Sequence, residues 1–533
     1  MTDKTAIQLL KRHGALKRHR STWESHWQEI ADYVVPRKAD ITKKRSAGDK
    51  RTELLFDGTA IHAAELLSAS LHGMLTNMSV KWFSLSFTDT ELNGNDEAKE
   101  WLESVETVMY QAFARSNFAE QVHELYHDLI TFGTGVMFVD SDPDQNLRFS
   151  TRHIGECYLS EDQNNRVDTI YREFKMPVRA AIERFRDGKI SIKMLKKAED
   201  DPYSEITLVH AVFKRDERDP TKLNSENKPF ASVYIDPDQK EILSESGFDE
   251  NPYLCPRFLK ASFENSYGRS PAMSALADIK MLSKMSEVII RAAQKQIDPP
   301  LMVPDDGFMS NVRTVPGGIN YYRSGTRDRI EPLNIQANNV IGQEMVKQRQ
   351  EAIHSAFYVD QLILGQGPQM TATEVIQRTE EKMKLLGPVL GRCQAELLQP
   401  LINRVFNLLE RQNLFAVAPE FIQSGNIDIE YVSPLAKAQR QGDLQSVMRL
   451  FELFTPVSQI DPSILDYVDM DGVAKHLMKT LSIPATVVKS DEQVEEIRGE
   501  RAKAQQIAAE NEAITQTAKA SGDVAKFASV VNG

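Results

Sequence analysis

The stretch ENSYGRSPAMSALADIKMLSKMSEVIIRAAQKQIDPPLMVP, residues 264–304, sets both ends of one long helix to within a few positions. Ser270 carries a hydroxyl suited to cap a helix start, and Pro271 takes the first helical position, where its missing N–H is no loss. Pro299 and Pro300 forbid continuation, because a proline ring clashes with the preceding turn. Between these limits Leu282, Met285, Ile289 and Ala292 recur at steps of three, four and three, which lines them up as one apolar seam. Ala275, Leu276, Ala277 and Ile290 widen the seam beyond what one partner helix needs.

The segments that follow repeat the theme of helix and interruption. Residues 301–333 carry strand and turn signals, and a returning helix over 341–360 is expected from Ile341, Met345, Ile353 and Phe357. Helix, compact β insert and returning helix make a hairpin with a decorated tip. QLILGQGPQMTATEV (361–375) breaks the pattern at Gly365, Gly367 and Pro368. Thr371 and Glu374 then form a capping box for a third helix reaching about residue 411, with Gly387 and Pro388 as its kink signal. After SPLAKAQRQGDL (433–444) the chain reads as helical. Its last helix, from Ser490 with Gln493 as box partner to about 520, is poor in large apolar residues, so it packs against copies of itself or frays.

Upstream, residues 4–35 read as a helix in which Trp23, Trp27, Ile30 and Val34 share a face until Pro36 stops it. RKADITKKRSAGDKR (37–51) sets seven Lys and Arg against two Asp. It reads as a solvated mobile loop or as a contact for phosphate or an acidic partner. A helix capped by Asp57, a strand over 80–87 and helices over 95–115 and 119–132 lead into GTGVMFVD and a mostly β region to about 262. The fold class is α+β, predominantly helical.

At 533 residues with 41% hydrophobic and 26% charged residues, the chain exceeds what one growing core holds, so two or more sub-domains are expected. Cys157, Cys255 and Cys393 lie far apart, signalling neither a disulfide framework nor a zinc knuckle, and a reducing compartment is expected. The N-terminal residues lack the apolar core of a signal peptide, and no stretch approaches the roughly 20 apolar residues a membrane span needs. The net charge of −12 opposes a whole-surface grip on a polyanion.

Motifs for chemistry are missing. No G-x-x-x-x-G-K-[ST], H-E-x-x-H or G-x-S-x-G occurs, and the G-x-G of LGQGPQM has no strand before it. His123 and His127 stand at i and i+4 and could share a metal, but no third ligand lies nearby in sequence. No cofactor is expected. Lys280, Lys284, Arg291 and Lys295 fall within about 60° on a helical wheel at roughly 100° per residue. This basic stripe could face a phosphate backbone, or be satisfied by Glu287, which lies within it, and by neighbouring chains.

In their order, SYGRSP with its long helix, the proline-stopped insert, the returning helix, the glycine-rich loop, the kinked helix and LAKAQR resemble the portal (head-to-tail connector) proteins of short-tailed bacteriophages. Trp82, Phe83 and Leu85, and the first helix ending YVVP, are similar to that family too. The resemblance implies a ring, usually of twelve chains, around an axial channel at one capsid vertex. Residues 1–270 would be the wing, 271–296 a stem helix, 297–338 the clip, and 339–360 the returning stem helix. Residues 361–370 would be the tunnel loop, 371–432 the kinked wing helix and its return, and 433–533 the crown.

It further implies that double-stranded DNA passes through the channel, and that Gln361, Gln366 and Gln369 are candidate tunnel-loop contacts to it. Arg313, Tyr321, Tyr322, Arg323, Arg327 and Arg329 become a candidate clip docking surface. The implied partners are the terminase large subunit, the tail adaptor, the major capsid protein, the scaffolding protein and other copies of the chain. The location would be the virion, after assembly in host cytoplasm, with no membrane and no enzymatic activity. Two alternatives stand beside this reading: a scaffold or internal virion protein without a channel, and an enzyme whose site is seeded at His123 and His127.

Overall fold

The computed structural model describes most of residues 2–302, then 339–362, 385–419, 447–456, 468–480, 493–507 and a few residues between them. Two compact units emerge, one of residues 1–82 and 109–412, the other of 83–108 and 413–533.

The first unit is built on α1 (Thr2–Val34), a helix longer by two residues at its start than expected. Its Trp23, Trp27, Ile30 and Val34 are all buried, and Trp27 Nε1 donates to the Phe132 carbonyl at 3.2 Å. Pro36 ends the helix as predicted. The basic run after it is largely exposed yet tied down at several points. Gln28 Oε1 accepts from the backbone N–H groups of Ile41, Thr42 and Lys43 at 3.0, 2.9 and 3.2 Å. Lys38 pairs with buried Asp128 at 2.6 Å, Lys43 with Asp32 at 2.7 Å and Arg51 with Asp40 at 2.7 Å. Acidic residues on neighbouring elements thus pair with Lys38, Lys43 and Arg45, and Asp40 within the run with Arg51, an outcome that composition alone does not reveal.

α2 (Thr59–Leu75) and α4 (Phe118–Phe132) pack together, and α4 ends at Gly133, whose φ of +78° requires glycine. Asp57 does not cap α2 by itself; Gly58 is the cap residue, and Asp57 accepts from Thr59 N one position further on, at 2.8 Å. β2 (Met137–Asp142) pairs antiparallel with β3 (Asn146–Thr151) and with β9 (Tyr253–Leu254). The five-stranded sheet is an antiparallel meander of β4 (Cys157–Glu161), β5 (Val167–Pro177), β6 (Glu205–Lys214), β7 (Phe230–Asp236) and β8 (Glu241–Phe248).

Strand alternation gives that sheet two apolar faces. Tyr171, Val209, Ala211, Val233 and Ile235 pack on Ala6 and Leu9 of α1. Phe174, Leu208 and Leu243 pack on Phe185 and Met194, contributed by α5 (Val178–Arg184) and α6 (Ile192–Asp200) with the turn after α5. These two helices were not foreseen, being short and set among strongly β-forming segments. The remaining elements of this unit are α7 (Pro271–Ile297), β10 (Leu301–Met302), β11 (Glu331–Pro332), α8 (Asn339–Ala356), α9 (Val359–Leu362) and α10 (Gln399–Arg411).

In the second unit β1 (Leu85–Phe87) pairs antiparallel with β12 (Ile429–Tyr431). The expected strand over 80–87 therefore shrinks to three residues. Trp101 donates to the Ala416 carbonyl at 3.0 Å and stacks on Phe87 at 6.4 Å. It lies on α3 (Asp96–Arg115), a helix whose last turns belong to the first unit. Residues 447–456 and 493–507 and α11 (Met470–Thr480) are helical, and Arg498 clasps Asp471 with two 2.6 Å hydrogen bonds. Residues 508–520 of the expected last helix lie outside the described residues. Among the described residues no helix is long and apolar enough to cross a membrane.

Candidate functional site

The SYGRSP corner aims α7. Ser270 Oγ accepts from Met273 N at 3.0 Å, capping the helix, and donates to the Thr131 carbonyl at 2.9 Å. Arg269 and Leu259 exchange backbone hydrogen bonds of 2.6 and 3.1 Å, and the Arg269 guanidinium lies 4.9 Å above the Trp23 ring. Tyr267 packs edge-on against Trp27, and its hydroxyl accepts from Leu159 N at 3.1 Å. Gly133 and Gly268 face each other so closely that a Cβ on either would overlap the other's backbone oxygen.

Behind the corner lies a charge network that the sequence reading missed. Arg257, 3% exposed at its side chain, pairs with Glu161 and Glu396, and Lys260, 6% exposed, pairs with Glu161 at 2.5 Å. Glu396 accepts from Arg257 N at 2.9 Å and Nε at 3.0 Å, and from Arg392 Nη1 at 2.9 Å. Its position is set by a π-helical turn over Gln394–Leu398, just before Pro400. Within the described part of that helix a π-helical irregularity falls beside Pro400, while the turn before Gly387 and Pro388 lies outside the described residues. The partners lie up to 139 residues apart, so no local pattern announces them.

Along α7 the seam splits in two. Ala272, Ala275, Leu276, Ile279, Leu282 and Ser283 are buried, and Ser283 Oγ donates to Leu54 O and accepts from Phe56 N. On the same face farther along, Ile290 is 45% and Ile297 85% exposed, and on the opposite face Met281 and Val288 are 40% and 55% exposed. The basic stripe runs beside Met281 and Val288. Lys284 and Arg291 both bind Glu287, at 2.8 and 2.6 Å, and Lys280 reaches Glu29 at 3.3 Å. The hydrogen bond from Lys284, with Arg291 beside it, holds the Glu287 carboxyl below its ordinary range. Lys295 is exposed and makes no ion pair among the described residues.

The insert closes on a two-residue ladder in which Leu301 faces Pro332 and Met302 faces Glu331. Tyr321 is 64% exposed and Arg313 is exposed too. Tyr322, Arg323, Arg327 and Arg329 lie outside the described residues, as do Gln366 and Gln369. Gln361 is exposed on α9.

α8 returns antiparallel to α7: Arg349 pairs with Asp278 at 2.7 Å, and Ile289 Cδ1 stands 3.6 Å from where a Cβ on Gly342 would be. The helix stops at Ala356 instead of running to 360, because Tyr358 adopts φ +59°. Ile353, Phe357 and Val359 are all buried. In an unbroken helix Val359 would point about 120° from Ile353 and further still from Phe357, and the break brings all three inside. On its far side α8 exposes Glu344, Gln348 and Glu351, an acidic stripe that spacing of four and three residues could have revealed.

Burial shapes the cysteines and His127. Burial pushes the Cys157 and Cys393 thiols up to about 12, and Cys255 up as well. His127 is buried and neutral, lowered to about 4 chiefly by desolvation, and His123 meets His72 edge-on at 5.9 Å. Among the described residues no group of three or more His, Cys, Asp or Glu is placed to hold a metal ion.

Comparison with known proteins gives a consistent result. Residues 6–488 match the family model described as bacteriophage head to tail connecting protein. The chain is 34% identical over 522 residues to a protein named "Probable portal protein" of Bordetella phage BPP-1, covering 96% of this chain and 93% of that one. It is 32% identical over 519 residues to the "Portal protein" of Salmonella phage epsilon15, covering 95% and 93%. To the "Portal protein" of Enterobacteria phage T3 it is 20% identical over 422 residues, covering 76% and 75%.

Proposed function

The chain belongs to the bacteriophage head to tail connecting family, the portal proteins of phage heads, and from that premise we propose that it closes into a ring of twelve copies around an axial channel. Double-stranded DNA enters the capsid through this channel, driven by a separate terminase motor, and leaves it through a docked tail adaptor. α7 and α8 form the stem, residues 297–338 the clip that docks terminase and then adaptor, and 361–370 the loop nearest the DNA. The wing and the C-terminal crown meet the capsid and scaffolding proteins. Assembly takes place in host cytoplasm, and the finished ring sits at the portal vertex of the virion.

The observation that carries the reading is α7 from Met281 onward. Four large apolar side chains on two opposite faces of one helix stand open to solvent in a single chain, as expected when each copy meets one neighbour on either side. The charge fits a conduit: twelve copies at −12 each carry −144, a field that keeps DNA sliding rather than bound. Without a P-loop the chain supplies no ATPase, and its role is that of a structural part rather than an enzyme.

Mass photometry of the purified chain with negative-stain imaging tests this. Particles of about twelve chains with a central hole are the expected result. A monomer at micromolar concentration across assembly salts overturns it.

A further inference from the structure

The two outer sides of the α7–α8 hairpin carry opposite charge at matching heights. On a helical wheel, the α7 residues that meet α8, Asp278 and Ile289, lie about 100–180° from Lys280, Lys284, Arg291 and Lys295. The basic stripe therefore points away from α8. On α8, Gly342 and Arg349, which meet α7, lie about 100–180° from Glu344, Gln348 and Glu351, so the acidic stripe points away from α7. Lys284 and Arg291 are 68% and 69% exposed at their side chains, and Glu344 and Glu351 are exposed without an ion-pair partner among the described residues. Lys347 stands at the edge of the acidic stripe, about 60° from Glu344.

Height along the hairpin is fixed by the antiparallel contacts of Asp278 with Arg349 and Ile289 with Gly342. By that register Glu344 lies within about two residues of the level of Lys284, and Glu351 within about two of Lys280, or ~3 Å at 1.5 Å per residue. A ring that closes by pure rotation brings together groups of equal height on opposite sides of the subunit. Two further side chains agree: Met281 and Val288 are uncovered beside the basic stripe, and Met345, 39% exposed, lies beside the acidic one.

We infer that the basic side of α7 in one copy seats on the acidic side of α8 in the next, Lys284 against Glu344 and Lys280 against Glu351, with Met281 and Val288 packed toward Met345. The partner of the basic stripe is thus a second copy of the chain, not the DNA backbone. Glu287 holds Lys284 and Arg291 in place within each chain, and the neighbour's carboxylates complete the charge balance. The inference rests on the ring reading and specifies its contact.

Charge reversal separates the two. A variant with Lys284→Glu and Arg291→Glu, and another with Glu344→Lys and Glu351→Lys, each make like-charged sides and are expected to lower the ring fraction at least tenfold in low salt. Mixed one to one they restore it, since the two kinds of chain alternate favourably. Raising salt to about 1 M narrows the deficit, as the Debye length falls to ~3 Å. Rings from either variant alone at native yield overturn the inference while leaving the ring reading intact. A native chain that never forms rings overturns both.

A cysteine pair removes dependence on how well those variants fold. All three native cysteines are buried, so a chain with Lys284→Cys and Glu344→Cys should give a ladder of disulfide-linked copies on mild oxidation. Lys284→Cys with Ser355→Cys, about ten residues off level, should not. Absence of the first ladder from assembled rings, or equal ladders from both pairs, overturns the inference.

Discussion

From Pro271 to Ser283, α7 turns Ala272, Ala275, Leu276, Ile279 and Leu282 into the interior, each less than a tenth exposed; from Ile290 to Ile297 the same face carries two isoleucines 45% and 85% exposed. The second half is the more polar, with Lys284, Glu287, Arg291 and Lys295 against Asp278 and Lys280 in the first, but both carry large apolar residues. What changes is the company: α1, α4 and the Leu54–Phe56 segment lie against the first half, whereas among the described residues Ile289 of the second half packs toward α8 while Ile290 and Ile297 stay open. The buried half is held by hydrogen bonds and close packing within one chain, and the open half is the part that the proposed ring would cover. Substitutions in the first should therefore act on the folding of a single chain, and substitutions in the second on assembly.

The largest effect is expected at the corner. Gly268→Ala places a methyl group against the Gly133 and Leu259 carbonyls, backbone atoms that cannot yield as a side-chain end would. A loss of about 4 kcal/mol or more is expected, in the exceptional range for one substitution, with a matching fall in soluble yield and denaturation midpoint. A wild-type midpoint would mean that the corner is looser than its packing indicates.

Arg257→Met comes next. Two carboxylates, Glu161 and Glu396, lose the cation bridging them in a buried setting, which costs about 3–5 kcal/mol when one partner is removed. Changing Glu161 and Glu396 to Gln in the same chain should recover part of that loss. No recovery would place the damage in lost packing of the arginine stem instead.

The buried base also predicts a pH response. His127 has its pKa lowered to about 4 from 6.5, mainly by desolvation. As pH falls below about 6.5 the unfolded chain takes up this proton and the folded chain does not, so stability is full above that pH and drains away toward pH 4. The contribution is at most about 3.4 kcal/mol at 1.36 kcal/mol per pKa unit. Other buried histidines, among them His153 and His210, are lowered in the same direction, so the diagnostic quantity is the difference between the wild-type chain and His127→Leu. Parallel stability–pH curves for the two would contradict it.

Ser270→Ala is milder. It removes the cap on Met273 N and the donor to the Thr131 carbonyl, for about 1–2 kcal/mol. Ser270→Asp would keep an acceptor for Met273 N but not the donor, so its midpoint apportions the two hydrogen bonds.

These contrasts mark what the sequence discloses. The start of α7 was legible because capping is local: Ser270 and Pro271 act within one turn. The basic stripe was legible because helical period is regular. The Arg257 network joins positions up to 139 residues apart, and the Gly133–Gly268 approach is nearly as distant, so neither leaves a local trace. The break at Tyr358 escaped notice for a related reason. Neighbouring residues favour continuing the helix, and only the joint burial of Phe357 and Val359 overrides them. The comparisons then supplied what geometry within one chain could not, the family to which the hairpin belongs.

The smallest effect on the single chain is expected at Lys284 and Arg291, and it is the most telling. Glu287 pairs with both residues, so it keeps one cation partner when either is removed. Exposed pairs of this kind contribute little to folding, and Lys284→Ala or Arg291→Ala should leave the denaturation midpoint of the dissociated chain unresolved from wild type. Ring formation should weaken in low salt for both, because each loses attraction to the neighbour's acidic stripe. If the midpoint moves and assembly does not, the open half of α7 belongs to the single-chain fold after all, and the division between its halves fails. If assembly moves alone, the helix has one half for folding and one for the ring.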